Sequence, residues 1–349
     1  MKAVARVGGQ IRGFLVVALA CAVLGAAACT PGQLGEDAGS GRGGTPGFGG
    51  EGPGGAGGTV RDAGVDAPSE LCAVPSGTFL RVSAGNRGVC AIRTDRSLVC
   101  WGANYISMPD PIPGKYANVS KLGALCAVTI TGELSCWGNE SYLQPVPNGM
   151  FVDVVTGEED ACARRADMTV TCWGNPVRPY WVPPGYAFES LTGGAYFACG
   201  LESAGHAAVC WDARGSANPS DYLSVTAGPF GAVGAGRFYA CGLKSADGNV
   251  ACWSVVPMFN FAADTYGQLE AAPGPFAALA VGEFHACGLR SDGQAVCWGN
   301  NNYGQATPPP GVAFQQLSVG SSQTCGILTD GTLRCWGEGC PGAPLGPIL

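Results

Sequence analysis

Apolar and polar positions alternate over short runs after residue 70. The runs 314–319 (FQQLSV), 324–329 (TCGILT) and 332–336 (TLRCW) are separated by Gly or Asp-Gly. Period-two patterning with turn residues between the runs predicts short antiparallel strands. The same pattern recurs seven times, and cysteines mark its register: Cys90 with Cys100, Cys126 with Cys136, Cys162 with Cys172, Cys199 with Cys210, Cys241 with Cys252, Cys287 with Cys297 and Cys325 with Cys335. A Trp follows each second cysteine, at 101, 137, 173, 211, 253, 298 and 336. Phe stands eleven residues before the first cysteine in six copies, and Gly stands five before it. The second copy departs, with Tyr116 one place closer and no Gly at the expected position. A period of this length signals a repeat architecture.

Turn chemistry sets the pairing. If Ser291, Asp292 and Gly293 form a three-residue hairpin loop with Gly left-handed, Arg290 faces Gln294 and Cys287 faces Cys297. In the fourth and fifth copies the loop gains one residue, the cysteine spacing grows from ten to eleven, and the pairing is kept. A structural zinc site needs four ligands at closer spacings, and the chain has only His206 and His285 besides the cysteines. Disulfides are therefore expected, each closing a loop worth on the order of 2 to 3 kcal/mol. Each Trp adjoins a Cys and so points to the opposite sheet face, placing sulfur toward one neighbouring unit and indole toward the other.

Seven three- to four-stranded sheets arranged radially make an all-β, seven-bladed propeller over residues 71–340. Cys72 and Cys340 flank the repeats and are expected to bond and clasp the ends of the ring, the alternative being two free thiols. Ahead of the ring, Lys2, Arg6 and Arg12 precede an apolar run from Phe14 to Ala28, so residues 1–28 read as an export signal. Its apolar run, about fifteen residues, is short for a membrane-spanning helix. The small residues before Cys29 are similar to a bacterial lipobox and mark Cys29 for lipidation. Ala26 stands where that motif has Leu, which leaves ordinary signal-peptidase cleavage open. Residues 29–70 form a Gly-rich tether reaching about 35 Å, and residues 341–349 a short tail.

Removing residues 1–28 takes away three cations and no acid, carrying the formal charge from −7 to −10. Such a chain is expected to avoid nucleic acid and anionic membrane surface, and to meet a membrane only through its N-terminal anchor. The cysteines suit an oxidising, exported location in the cell envelope, at the outer membrane or the cell surface. Thr30, which is not Asp, weakly favours the outer membrane in the lipoproteins that the segment resembles.

The stretch from Gly282 to Gln305, GEFHACGLRSDGQAVCWGNNNYGQ, resembles the regulator of chromosome condensation repeat family, whose blades carry G-x-x-H, a D-G turn, W-G and N-x-x-G-Q in this order. The resemblance covers about residues 77–337 and thins elsewhere, the G-Q tail surviving mainly at Gly304 and Gln305. Short exported blades look like the propeller-type beta-lactamase inhibitor, and cysteine-bearing blades look like the ectodomains of crinkly-type plant receptor kinases. These resemblances imply protein binding through loops on one ring face.

Catalysis has little to draw on, since no Ser-His-Asp, Cys-His or metal-spaced cluster can be assembled. His285 sits at the family's structural His position, and His206 falls in a hairpin loop. No cofactor, metal or catalytic residue is expected. What varies between copies is the linker from each Trp to the next Phe or Tyr, and loops on a fixed scaffold carry function. The linkers supply the candidate binding residues Tyr180, Trp181, Tyr222, Met258, Phe259, Phe261 and Tyr266, which could equally cover a blade edge. The expected function is a monomeric, non-catalytic surface module that binds a protein or glycan. An inhibitor of an extracytoplasmic enzyme, and then a propeller hydrolase, stand behind it.

Overall fold

The structure is a computed structural model that describes residues 74–86, 88–102, 111–137, 143–174, 181–212, 223–255 and 266–340. The export segment, the tether with Cys29, the tail, Cys72, Tyr180, Tyr222, Met258, Phe259 and Phe261 lie outside the described residues.

Seven antiparallel sheets follow one another along the chain. The first holds β1 (Phe79–Ala84), β2 (Gly88–Arg93) and β3 (Leu98–Gly102), and the second β4 (Tyr116–Lys121), β5 (Leu125–Thr129) and β6 (Leu134–Trp137). The third holds β7 (Asp153–Thr156), β8 (Asp160–Arg164) and β9 (Val170–Gly174). In the fourth, β10 (Phe188–Gly193), β11 (Phe197–Glu202) and β12 (Ala208–Asp212) are joined by an outer β13 (Ser224–Thr226). The fifth has β14 (Phe230–Ala235), β15 (Tyr239–Lys244) and β16 (Val250–Ser254), and the sixth β17 (Ala278–Val281), β18 (His285–Leu289) and β19 (Ala295–Gly299). The last comprises β20 (Phe314–Val319), β21 (Gln323–Leu328) and β22 (Leu333–Gly337). The fold is a seven-bladed β-propeller, and the first strand of every blade lines a central channel of about 250 Å³.

Each interface between blades buries the sulfurs of one blade against the indole of the next. Cys90 and Cys100 pack with Tyr116 and Trp137, Cys126 and Cys136 with Phe151 and Trp173, and Cys325 and Cys335 with Phe79 and Trp101 of the first blade. Within a blade the Phe ring lies beside the Trp, as with Phe314 and Trp336 at 5.4 Å or Phe230 and Trp253 at 5.7 Å. In blades four to seven the residue after the first cysteine is Gly because the Phe ring occupies the space of a side chain. A Cβ on Gly326 would stand 2.4 Å from Cδ1 of Phe314.

All seven cysteine pairs are disulfides, with Cα atoms 4.0 to 4.1 Å apart. The ladder places Cys287 opposite Cys297, and the longer hairpins of the fourth and fifth blades keep Cys199 opposite Cys210 and Cys241 opposite Cys252. Cys340 is also disulfide-bonded. Disulfides in this number mark a protein of an oxidising compartment.

Hairpin loops clasp each blade to its successor. The last loop residue is left-handed in every blade (Arg96, Gly132, Met168, His206, Gly248, Gly293 and Gly331), and its carbonyl accepts the amide of the Phe or Tyr that opens the next blade. Those bonds run from 2.7 Å (Phe276 to Gly248) to 3.2 Å (Phe188 to Met168). Ring closure repeats along the channel, where the Ser318 hydroxyl accepts from Ala84 N at 2.8 Å, Ser83 from Lys121 N at 2.9 Å, Ser120 from Thr156 N at 3.0 Å and Thr192 from Ala235 N at 3.1 Å.

The opposite end of the ring is built by the loops between first and second strands. There the repeated Gly lets one blade's backbone approach the next: a Cβ on Gly282 would lie 2.2 Å from the carbonyl oxygen of Gly320, and one on Gly320 2.6 Å from that of Gly85. The second copy, which lacks this Gly in sequence, uses Gly123 two places later, and its amide reaches Gly157 O at 3.2 Å. The side chain at the vacated position, Lys121, is buried and donates to the carbonyl of Gly123.

Candidate binding face

The Gly loops and the linkers leaving each Trp share this end of the ring, called here the loop face. The linker start is tied to the loop by backbone bonds from Val255 N to Phe238 O at 3.1 Å and from Asn300 N to Phe284 O at 2.9 Å. Two residues after the repeat Gly, the fourth, fifth and sixth blades carry Tyr196, Phe238 and Phe284, all half-buried. Tyr196 stacks on Phe238 at 5.8 Å. Tyr266, which is exposed, meets Phe284 edge-on at 5.9 Å and extends the arc from the fifth linker.

Arg237 lies in the middle of this arc. Its guanidinium carbon is 5.8 Å from the ring of Tyr196, 5.6 Å from Phe238 and 5.5 Å from Phe284, within reach of cation–π attraction. Nη1 stands 3.4 Å from Oε2 of Glu283, and Nη2 3.9 Å from Oε1 of Glu158. Burial holds the carboxyl of Glu283 above the usual carboxylate range, and Arg237 opposes that shift. Burial and the neighbouring Glu158 push the Tyr196 phenol upward. The result is a partly exposed aromatic surface with a fixed cation and flanking carboxylates, suited to holding a partner's polar and planar groups.

Tyr266 therefore stands on the loop face among aromatics that the sequence reading did not select. Trp181 does not join them: it is half-buried and packs on the core around Phe188 and Trp211, covering the edge between the third and fourth blades. Tyr196, Phe238 and Phe284 were legible as an aromatic at a fixed offset from the repeat Gly.

The G-Q tail also extends beyond the sixth copy. Gln268 O accepts from Trp298 Nε1 at 3.2 Å while its amide oxygen accepts from Tyr266 N. Gln305 repeats this with Trp336 at 2.9 Å and Tyr303 N at 2.8 Å. Tyr-Gly-Gln at 266–268 and at 303–305 is one device, in which the next blade's indole pins the returning linker.

His285 is fully buried. The single hydrogen of the Thr324 hydroxyl goes to Gln305 O at 2.9 Å, so His285 Nε2 carries a proton and donates to Thr324 Oγ1 at 2.7 Å. Burial pushes its pKa down to about 3, and the ring is neutral. Its role is to join the sixth blade to the seventh. His206 occupies the left-handed hairpin position at φ 52°, half-exposed beside Glu189. Among the described residues no group of three or more His, Cys, Asp or Glu is placed to hold a metal ion.

The regulator of chromosome condensation (RCC1) repeat matches residues 276–305, the sixth blade and the start of the linker after it. No curated protein matches the chain. Among solved structures, the chain is similar to the CRINKLY WD40 ectodomain of the Arabidopsis thaliana receptor kinase ACR4, at 26% identity over 76% of this chain and 100% of that one, with a TM-score of 0.59. The ectodomain of the Physcomitrella patens receptor kinase CR4 shares the fold at 23% identity, 78% and 77% coverage and the same TM-score of 0.59. Human WBSCR16 shares it at 12% identity, 75% and 87% coverage and a TM-score of 0.55.

Proposed function

We propose that the chain is an exported, non-catalytic binding module, held in the cell envelope through Cys29 and the tether, that recognises a protein or glycan on its loop face. The observation that carries this reading is the aromatic arc of Tyr196, Phe238, Phe284 and Tyr266 around Arg237. Partly exposed aromatics beside an arginine are the composition of interface hot spots. Likeness to a receptor-kinase ectodomain supports it, since such a domain also works outside the cell.

The test is capture of envelope proteins and glycans with the mature chain, its Phe238→Ala/Tyr266→Ala variant and a hairpin-face control, Gln315→Ala. One partner should be retained by the parent and the control and weakened roughly thirtyfold or more by the double variant. Equal retention by all three would refute the loop face. Turnover of a sugar or peptide library with no stable partner would point to a hydrolase.

A further inference from the structure

The opposite, hairpin end of the ring carries an apolar patch. Leu80 (40% exposed), Ile130 (59%), Met150 (64%), Val152 (45%) and Met168 (37%) all lie at the hairpins or strand starts of the first three blades. Those of the second and third blades are neighbours: a Cβ on Gly132, in the hairpin of Ile130, would touch the Met150 methyl at 3.0 Å, and Val152 N bonds Arg164 O at 2.9 Å beside the hairpin of Met168. Arg81, Arg93, Arg96, Lys115, Arg164 and Arg165 stand among them, against Asp95, Glu133, Asp153 and Asp167. In a chain of net charge −7 this edge thus carries six cations against four carboxylates, the excess lying in the half-buried Arg93, Arg164 and Arg165.

These side chains lie at hairpins and strand starts along the rim, an arrangement that suits a deformable surface into which tips can sink. Apolar tips flanked by arginine and lysine are the chemistry of an interfacial membrane contact, with apolar atoms at the acyl boundary and cations on lipid phosphates. We infer that this edge of the first three blades rests on an anionic lipid bilayer. The inference shares the export and anchor reading with the proposed function, because a tether of about 35 Å keeps a bilayer in reach. It does not use the loop-face site, which it turns away from the membrane. The acidic chain as a whole is repelled at long range, and the contact acts within a Debye length.

The test is flotation of the non-acylated mature chain, residues 30–349, with phosphatidylglycerol/phosphatidylethanolamine vesicles and with phosphatidylcholine vesicles. Binding to the anionic vesicles alone is expected, falling at high salt and falling roughly tenfold in Ile130→Glu/Met150→Glu and in Arg96→Glu. The loop-face variant Phe238→Ala/Tyr266→Ala should float like the parent, which separates failure here from failure of the proposed function. Absence of flotation, equal flotation with both vesicles, or flotation untouched by the hairpin-edge variants would overturn the inference. So would equally tight binding to polyglutamate, which would assign the edge to an acidic protein. Every side chain substituted at the hairpin edge is exposed, and an unchanged unfolding midpoint checks each fold.

Discussion

The amide of Phe79, the first strand residue of the first blade, donates to the carbonyl of Gly331 in the last blade at 2.8 Å. This bond closes the ring with the same contact that joins every consecutive pair of blades, so the first and last repeats meet as ordinary neighbours. Closure needs no strand exchanged between the ends of the chain, because β1, β2 and β3 come from one repeat. The Phe that donates the amide also fills the space between blades, which is why one residue type recurs at one offset.

Phe314 tests this arrangement. It is 2% exposed, lies over Gly326 and beside Trp336, and has Leu289 of the preceding blade in the same cluster. Phe314→Ala should lower stability by about 3 to 5 kcal/mol, the range for a buried aromatic lost from a packed core. Gly326→Ala, which forces a methyl against the ring, should cost about 1 to 3 kcal/mol. Denaturant unfolding without reductant measures both, and a tolerated Phe314→Ala would mean that the blades do not pack through this ring.

The disulfides bear on stability and compartment together. Alkylation without reductant should leave the fourteen cysteines of the seven blade disulfides unmodified in the intact mass. Removing one bridge, as in Cys287→Ala/Cys297→Ala, should cost about 2 to 3 kcal/mol by loop-closure entropy. Alkylation of these cysteines in protein taken directly from the envelope would contradict an oxidising location.

Much of this scaffold was legible because its signals are local. Compensating growth of hairpin and cysteine spacing gave Cys199 its partner Cys210, and adjacency of Cys to Trp gave the two faces of each blade. The channel hydroxyls were missed because their value lies in another repeat: Ser83 matters through Lys121 N, and only a closed ring puts them 2.9 Å apart. Trp181 was singled out as an irregular aromatic, yet burial against Phe188 decides its role. Phe238 was not among the candidates, although its regular position is what holds it beside Arg237.

Arg237 couples the binding face to stability. Glu283 is 2% exposed, and its Oε1 has no hydrogen-bond partner, so its Oε2 contact with Arg237 compensates a buried charge. Arg237→Ala should destabilise the ring by about 1 to 3 kcal/mol at neutral pH, and Arg237→Ala/Glu283→Gln should recover most of that loss. A carboxyl whose folded pKa is raised favours folding as pH falls, so Arg237→Ala should lose least at acid pH. Additive effects in the double-mutant cycle would show that the two side chains do not depend on each other.

His285 gives the clearest pH dependence. The ring is neutral in the folded chain with a pKa near 3, against 6.5 for the free side chain. Between those values the unfolded chain binds a proton that the folded chain refuses, so stability rises with pH across the window and the penalty is complete below it. The slope from this group should approach about 1.4 kcal/mol per pH unit. Glu283 and Asp153, both raised by burial, contribute with the opposite sign above their ordinary values, and Asp95, held at about 2, contributes with the same sign below its unfolded value. The difference between the parent and His285→Gln profiles between pH 6 and 5 therefore isolates the histidine. His285→Gln, which can still donate to Thr324, should flatten the profile there while costing less at pH 5 than at pH 7. An unchanged slope in that variant would show that His285 takes up its proton without unfolding the blade.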